Sequence, residues 1–128
     1  MRTWKACVIT AVAVSALTAA ASQVLQAQGK PPVYLVAITT DEMGSAADIN
    51  AYRDRAGAQL DKHGGKFIIR GSNIVANIMG TPPKRIVVAR FADAEAAKKW
   101  QDDPVSKQIA ADREKLIKGS FVLIEGMN

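Results

Sequence analysis

The chain has 128 residues, of which 17 are Lys or Arg and 12 are Asp or Glu, giving a formal net charge of +5. This length accommodates one domain with a single hydrophobic core. The basic residues are scattered along the chain instead of clustering in a stripe, which argues against a nucleic-acid-binding surface.

The first 27 residues have the layout of a secretory signal peptide. Arg2 and Lys5 form a positively charged start, and an uncharged stretch of small and apolar residues runs from Ala6 to Ala21. Cleavage after Ala21 or after Ala27 leaves a small residue at the cleavage site, and the charged, globular sequence that follows favours Ala27. The alternative is an uncleaved anchor, but the run is shorter than the ~20 apolar residues that a membrane span needs. We expect a secreted, periplasmic protein with no membrane segment after cleavage.

Cleavage also removes Cys7, the only cysteine, and lowers the net charge to +3, because two basic residues leave with it. A mature chain without cysteine has no disulfide, no thiol chemistry and no cysteine-ligated metal or cluster. No phosphate loop, dinucleotide fingerprint, metal-ligand cluster or nucleophile motif is present. We therefore expect neither a cofactor nor a metal.

The mature chain reads as a short tether at 28–32 followed by one domain at 33–128. In chain order, the predicted elements are a strand at 33–40, a helix capped by Ser45 or Asp48 and running to His63, a strand at 66–70, an extended or hairpin arm at 74–79, a strand at 85–91, a helix capped by Asp93, a helix that starts at Asp103-Pro104 and ends at Gly119, and a strand at 120–125. Gly57 lies inside the first helix, where it costs about 1 kcal/mol relative to Ala, and it suggests a close approach to the sheet.

The order β-α-β-β-α-β, with the second helical segment broken in two, predicts a ferredoxin-like α+β fold with helices on one face of an antiparallel sheet. The opposite face should then be polar if water covers it. Both faces of the first and third strands are instead apolar, because consecutive apolar residues point to opposite faces of a strand. Leu35 and Val36 show this in the first strand, and Val87 and Val88 show it in the third. The chain is too short to supply a second layer, so we predict a face-to-face homodimer.

Several short motifs strengthen this interpretation when they are taken as a set. They are His63-Gly64-Gly65-Lys66-Phe67, Arg70-Gly71, Pro82-Pro83-Lys84-Arg85, Phe91 followed by Glu95-Ala96-Ala97, and Leu123-Ile124-Glu125-Gly126. With them, the chain resembles uncharacterised domain family 1330, a domain of unknown function, over nearly all of residues 33–126. The resemblance implies a dimeric α+β barrel, similar in fold to antibiotic-biosynthesis monooxygenases and muconolactone isomerases, without an established activity.

The match is incomplete around the expected pocket. The family usually has an aromatic residue at the position of Ile49 and a Glu-x-aromatic pattern where this chain has Val105 and Ser106. The family pattern is matched at Tyr52, Arg53, Trp100 and Arg113. A pocket built by the family's aromatic or acidic side chains would therefore be altered here.

His63 is the only histidine and the candidate catalytic group, because imidazole titrates near neutral pH. A structural role is equally physical: a histidine in the last helical turn interacts favourably with the helix dipole, and Gly64 can form the left-handed cap. A metal or haem site built on this one residue is not expected, since such sites gather several ligands.

Arg70 and Arg85 are candidates for holding a carboxylate or an enolate if their strands are neighbours. Strict alternation puts Arg70 on the face of Ile68, opposite Phe67, and so directs it toward the dimer side. Alternatively, both arginines extend into solvent or form ion pairs. Tyr52 and Trp100 lie on apolar helix stripes, as core residues or as pocket walls.

The residues thus predict an exported homodimer that binds a small aromatic or anionic molecule between sheet and helices. The candidate ligand-binding residues are Tyr52, His63, Arg70, Arg85, Trp100 and Arg113. One alternative is a cofactor-independent monooxygenase-like or isomerase-like enzyme that uses the carbanion of its own substrate. The other is a non-catalytic dimerisation module. An open cavity with polar groups favours binding, and a filled interior favours the module.

Overall fold

A computed structural model describes residues 29–128, so the predicted signal peptide and both cleavage positions lie outside the described residues. Residues 33–125 form four strands and three helices in the order β1 (Val33–Glu42), α1 (Ala46–Lys62), β2 (Lys66–Gly71), β3 (Arg85–Phe91), α2 (Ala94–Asp102), α3 (Pro104–Leu116) and β4 (Ile117–Glu125). All strand pairs are antiparallel, in the sheet order β2-β3-β1-β4. This is the predicted ferredoxin-like α+β fold. Within residues 29–128, no helix is long and apolar enough to cross a membrane.

The predicted caps begin the three helices. Of the two candidates for α1, Ser45 is the cap, and its hydroxyl accepts a hydrogen bond from the amide of Asp48 at 3.1 Å. Asp93 accepts from the amide of Ala96, and Asp103 from that of Val105, both at 2.9 Å. Each side chain satisfies an amide that has no partner inside its helix.

The end of α1 is closed by a pair of glycines with different roles. The amide of Gly65 donates to the carbonyl of Leu60 at 2.8 Å, and that of Gly64 to Asp61 at 3.0 Å, which is the Schellman pattern. Gly64 has φ +76°, a conformation that favours glycine. A Cβ on Gly65 would come within 3.1 Å of the Phe91 ring, so its role is close packing.

The core lies between the helices and one face of the sheet, here called the inner face. On β1, Leu35 and Ala37 belong to this face, and they pair with Ala89 and Val87 of β3. The principal buried cluster consists of Val33, Leu35, Leu60, Ala89, Phe91 and Ala97. The residues between them along the strands form the opposite, outer face.

Strand β2 contains a bulge that changes which way Arg70 faces. Phe67 pairs with Ala89 and Arg70 pairs with Val87, and the register shifts between Phe67 and Ile69. The extra residue returns Arg70 to the face of Phe67, which is the inner face. The prediction that Arg70 faces the outer, dimer side was therefore wrong, because it assumed strict alternation through the strand.

The predicted end of the last helix was also wrong. The helix α3 ends at Leu116, and Ile117 already pairs with Glu42, which extends both β4 and β1 beyond their predicted bounds. Gly119 lies within β4, where a Cβ would overlap the carbonyl oxygen of Ile38. Glycine is required at this position by strand packing instead of by a helix end.

The segment between β2 and β3, predicted as an extended or hairpin arm over residues 74–79, forms no hairpin and pairs with no strand of the described residues. Pairing of β2 with β3 stops at Gly71 and Ile86, so the segment has no strand beside it. Its apolar side chains Val75, Ile78 and Met79 are 97, 96 and 90% exposed.

Candidate functional site

A cavity separates α1 from the inner face of the sheet because small residues meet there. Ala37 and Val87 line it from the sheet, and Ala56 and Gly57 line it from α1. The space open to the centre of a water molecule is about 70 Å³. The cavity is partly enclosed, and larger apolar groups, among them Leu35, Leu60 and Ile109, complete its wall.

One end of the cavity is strongly basic. Arg85 lies on the inner face of β3 two residues from Val87, and Arg70 pairs with Val87 from β2, so the two arginines are diagonal neighbours with Cα atoms about 7–8 Å apart. Arg53 of α1 lines the same cavity but forms an ion pair with Glu42. The strands of Arg70 and Arg85 are adjacent, which was the condition for their acting together.

Arg85 is the charge in the site that lacks both a cation–π contact with an aromatic ring and an ion pair with a carboxylate among residues 29–128. Its side chain is half-buried and has no hydrogen-bond or ion-pair partner among residues 29–128. Burial lowers the pKa of Arg85, and the charges of Arg53 and Arg70 lower it further, while Glu42 acts in the opposite direction. The guanidinium is still protonated at neutral pH, so this end of the cavity favours an anion.

Arg70 is positioned by an aromatic ring. Its Cζ lies 4.6 Å from the centroid of the Phe67 ring, a cation–π contact. A Cβ on Gly57 would be 3.8 Å from the same ring, in ordinary contact, so the close approach expected at this glycine is to Phe67. Because stacking uses the face of the guanidinium, the N–H donors at its edge remain available to a ligand, and they have no acceptor among residues 29–128.

Another arginine occupies the β4 side of the cavity. Arg113 of α3 donates from Nε to Oη of Tyr52 at 2.8 Å. Its Cζ lies 4.1 Å from the centroid of Phe121 and 5.8 Å from that of Tyr52. All three side chains line the cavity, and Tyr52 is buried at 6% exposure.

Three further buried polar side chains in the cavity wall were missed by sequence reasoning, namely Thr39 of β1 and a hydrogen-bonded pair. Gln59 and Ser106 are buried, line the cavity, and are joined by a hydrogen bond of 3.0 Å from Nε2 to Oγ. Gln59 follows Tyr52 by seven residues and Ala56 by three, so it continues the same helix stripe. That spacing could have identified Gln59 from the sequence. Trp100 also lines the cavity and packs on Phe91, with ring centroids 5.5 Å apart.

His63 is separated from the other candidates, since it does not line the cavity, whereas the remaining five do. It donates from Nε2 to Oδ2 of Asp103 at 2.9 Å and so joins the end of α1 to the start of α3. This hydrogen bond, with that from the amide of Val105, holds the pKa of Asp103 well below its usual range. In the part of the chain from 29 to 128, no three His, Cys, Asp or Glu side chains form a group that could hold a metal ion.

Comparison with known families identifies a match over most of the chain. The family described as "Domain of unknown function (DUF1330)" matches residues 32–127, which is three quarters of the chain. A comparison with curated proteins gave no significant match.

Solved structures share the fold at low sequence identity. A protein of unknown function from Rhodopseudomonas palustris is 14% identical, with a TM-score of 0.62, over 84% of this chain and 93% of its own. A dabb family protein with a ferredoxin-like fold from Mesorhizobium loti is 15% identical, with a TM-score of 0.56, over 77 and 98%. SnoaB, a cofactor-independent oxygenase from Streptomyces nogalater, is 14% identical, with a TM-score of 0.54, over 78 and 96%.

Proposed function

This chain belongs to the DUF1330 family of domains of unknown function, and we propose that its cavity binds a small carboxylate with an apolar or aromatic body. The observation that carries the proposal is Arg85, a half-buried cation without an ion-pair partner in residues 29–128, at the end of an apolar cavity. Even partial removal of a charge from water carries a cost that an opposite charge can offset. A bound carboxylate would supply that pair.

The neighbouring groups support a carboxylate in particular. Arg70 is the diagonal neighbour of Arg85, and its N–H donors have no acceptor among residues 29–128. Two guanidinium groups can together donate hydrogen bonds to both oxygens of a carboxylate. Arg53 already forms an ion pair with Glu42, so it attracts an anion through its electrostatic field more than through hydrogen bonds.

The rest of the cavity supports a small and largely apolar body. Its volume corresponds to about five water molecules at the ~15 Å³ that one water centre requires. Apolar side chains and the Trp100 ring form most of the wall, and they favour an aliphatic or aromatic group over a sugar or a nucleotide.

Binding is favoured over the two alternatives by the composition of the wall. The lining includes no Asp, Glu or His side chain, so the cavity lacks a group that would act as a general base at neutral pH. The cofactor-independent oxygenase or isomerase rests on likeness of fold alone, as with SnoaB. A purely structural dimerisation module would not require a partly open cavity in which Arg70 and Arg85 have no ion-pair partner among residues 29–128.

The test of binding is calorimetric titration of the chain from residue 28 onward with benzoate and with its neutral isostere benzamide. We expect benzoate to bind and benzamide to bind much more weakly. Arg85→Met should lower benzoate affinity about tenfold or more, since hydrogen bonds to charged groups contribute about 1.5–3 kcal/mol.

Arg55→Met is the matched control for Arg85→Met. It makes the same substitution at an arginine that does not line the cavity and that pairs with Asp112 at the surface. It should leave benzoate affinity unchanged. Equal affinity of the wild type and Arg85→Met for benzoate would contradict the proposal.

We also propose that two copies pair through the outer face of the sheet. Apolar side chains form most of this face, namely Tyr34, Val36, Ile38, Ile69, Ile86, Val88, Val122 and Ile124. A contiguous apolar face of this extent is unusual on a monomer in water. A second copy would cover it with an identical apolar face, in the manner of two packed sheets.

Finally, we propose that the chain is exported and cleaved after Ala27. The support is the positively charged start, the short apolar run and the small residues at the end of the first 27 residues. The mass of the exported protein tests this, since cleavage after Ala27 leaves Gln28 as the first residue and cleavage after Ala21 leaves Ser22. Retention of the full-length mass in the cytoplasm would contradict export.

A further inference from the structure

The Tyr52 hydroxyl carries a hydrogen that no described group uses. Arg113 Nε is bonded to Tyr52 Oη at 2.8 Å. A guanidinium can only donate, so the phenol oxygen is the acceptor in this bond and its own hydrogen points elsewhere. No acceptor for that hydrogen is found among residues 29–128.

The environment of this hydroxyl makes the unused hydrogen significant. Tyr52 is only 6% exposed, and it lines the cavity together with Arg113 and Phe121. A buried donor without an acceptor is costly, so an occupant of the cavity that supplies an acceptor is favoured. The positive charge of Arg113 polarises the phenol and makes it a stronger donor.

Arg113 is also held in a way that fixes this donor. Its guanidinium stacks at 4.1 Å on the Phe121 ring of β4 while Nε is engaged by Tyr52. Arg70 is stacked in the same manner on Phe67 of β2. The two stacked guanidiniums therefore stand over the two edge strands of the four-stranded sheet.

The distance between these edges is an upper bound on the length of a ligand that uses both, because Arg70, Arg85 and Tyr52 all line the cavity between them. Three strand spacings separate β2 from β4, about 14 Å, and two separate the Arg85 strand from β4, about 10 Å. Between them the floor consists of the small side chains Ala37 and Val87. An occupant can therefore lie across the strands with one end at each side.

From this geometry we infer that the cavity selects oxo-carboxylates, acids with a carbonyl oxygen at the end remote from the carboxylate. Arg70 and Arg85 hold the carboxylate, and the Tyr52 hydroxyl, positioned by Arg113, donates to the carbonyl oxygen. A carbonyl suits this donor because it only accepts hydrogen bonds. The inference rests on the proposed function and adds to it the second polar group of the ligand.

The test compares each oxo acid with an isostere in which a methylene group replaces the carbonyl oxygen. The probes are 4-oxopentanoate, 5-oxohexanoate and 4-acetylbenzoate, which differ in length, and each is titrated calorimetrically into the chain from residue 28 onward. We expect at least one oxo acid to bind about two- to tenfold more tightly than its isostere, the effect of one neutral hydrogen bond.

Tyr52→Phe removes only the hydroxyl, so it should abolish this preference and leave the affinity for the isostere unchanged. Tyr34→Phe is the matched control, because Tyr34 lies on the outer face of the sheet, and it should keep the preference. Arg85→Met should weaken the oxo acid and the isostere alike.

The outcomes separate the two proposals. If no carboxylate binds, the proposed function fails. If carboxylates bind but every isostere matches its oxo acid in the wild type, the carbonyl assignment is overturned while the proposed function stands, whether or not Tyr52→Phe folds. A dicarboxylate of the same length that binds more tightly than the oxo acid would also overturn the carbonyl assignment. The second carboxylate would then bind Arg113 directly.

Discussion

At the scale of single residues, Asp103 connects local and distant structure. Its Oδ1 accepts from the amide of Val105 to begin α3, and its Oδ2 accepts from His63 at the end of α1. The cap was predictable because it depends on a residue two positions away. The contact with His63 was not, because it depends on how α1 packs against α3.

We predict that Asp103→Asn destabilises the protein more at neutral pH than in acid. The pKa of Asp103 is lower in the folded protein than its ordinary value of 3.8, chiefly because of His63. The unfolded chain therefore takes up the proton first as the pH falls, and the stabilisation by the carboxylate is complete above about pH 5 and declines progressively as the pH falls below that value toward the folded pKa. Urea unfolding at several pH values should show the difference between wild type and variant shrinking toward pH 3.

Asp61→Asn provides the comparison, because the Asp61 side chain is exposed two residues before His63. Its effect should be small at every pH. A difference for Asp103→Asn that stays constant from pH 7 to pH 3 would show that the carboxylate contributes only as a hydrogen-bonding cap.

At the scale of elements, the bulge in β2 decides the composition of the cavity. Phe67 and Arg70 are three positions apart, so a regular strand would put them on opposite faces. With one extra residue, both face α1, and the arginine stacks on the aromatic ring. The residue types of β2 were sufficient to predict a strand, but none of them indicated a bulge.

Deletion of Ile68 should restore regular alternation and remove either Phe67 or Arg70 from the cavity. We expect the affinity for benzoate to fall about tenfold or more, as for loss of a charged hydrogen-bond donor. Ile68→Ala keeps the length of the strand, and its side chain is exposed, so it should bind normally. The assignment of the bulge to binding would be wrong if the deletion variant folded and bound benzoate as the wild type does.

At the scale of the whole molecule, the outer face of the sheet is an extended apolar surface without a covering layer in residues 32–127. Val122 and Ile124 of β4 are 51 and 57% exposed on this face. Full burial of one such side chain contributes about 1.5–3 kcal/mol, so a second copy that covers several of them gains a substantial free energy. The alternation along β1 and β3 is what indicated this surface from sequence.

We predict that the double variant Val122→Lys with Ile124→Lys sediments as a monomer at micromolar concentration, whereas the wild type sediments as a dimer. Two like charges on a self-paired face would be brought together in the dimer, which is unfavourable. Val105→Lys is the control, because Val105 is also 51% exposed but lies on α3. A monomeric wild type, or a double variant that still dimerises, would contradict the outer-face dimer.

Features that depend on residues close together in sequence could be predicted from the sequence alone. The order of the elements, the caps at Ser45, Asp93 and Asp103 and the glycine stop after α1 follow from hydrogen bonds and apolar spacing within a few residues. The cavity emerged only from packing. The inward turn of Arg70 depends on how β2 pairs with β3, and the bond from Arg113 to Tyr52 joins residues 61 positions apart. Local energetics determine such elements, whereas a site depends on the register and packing between them, which a single strand or helix does not encode.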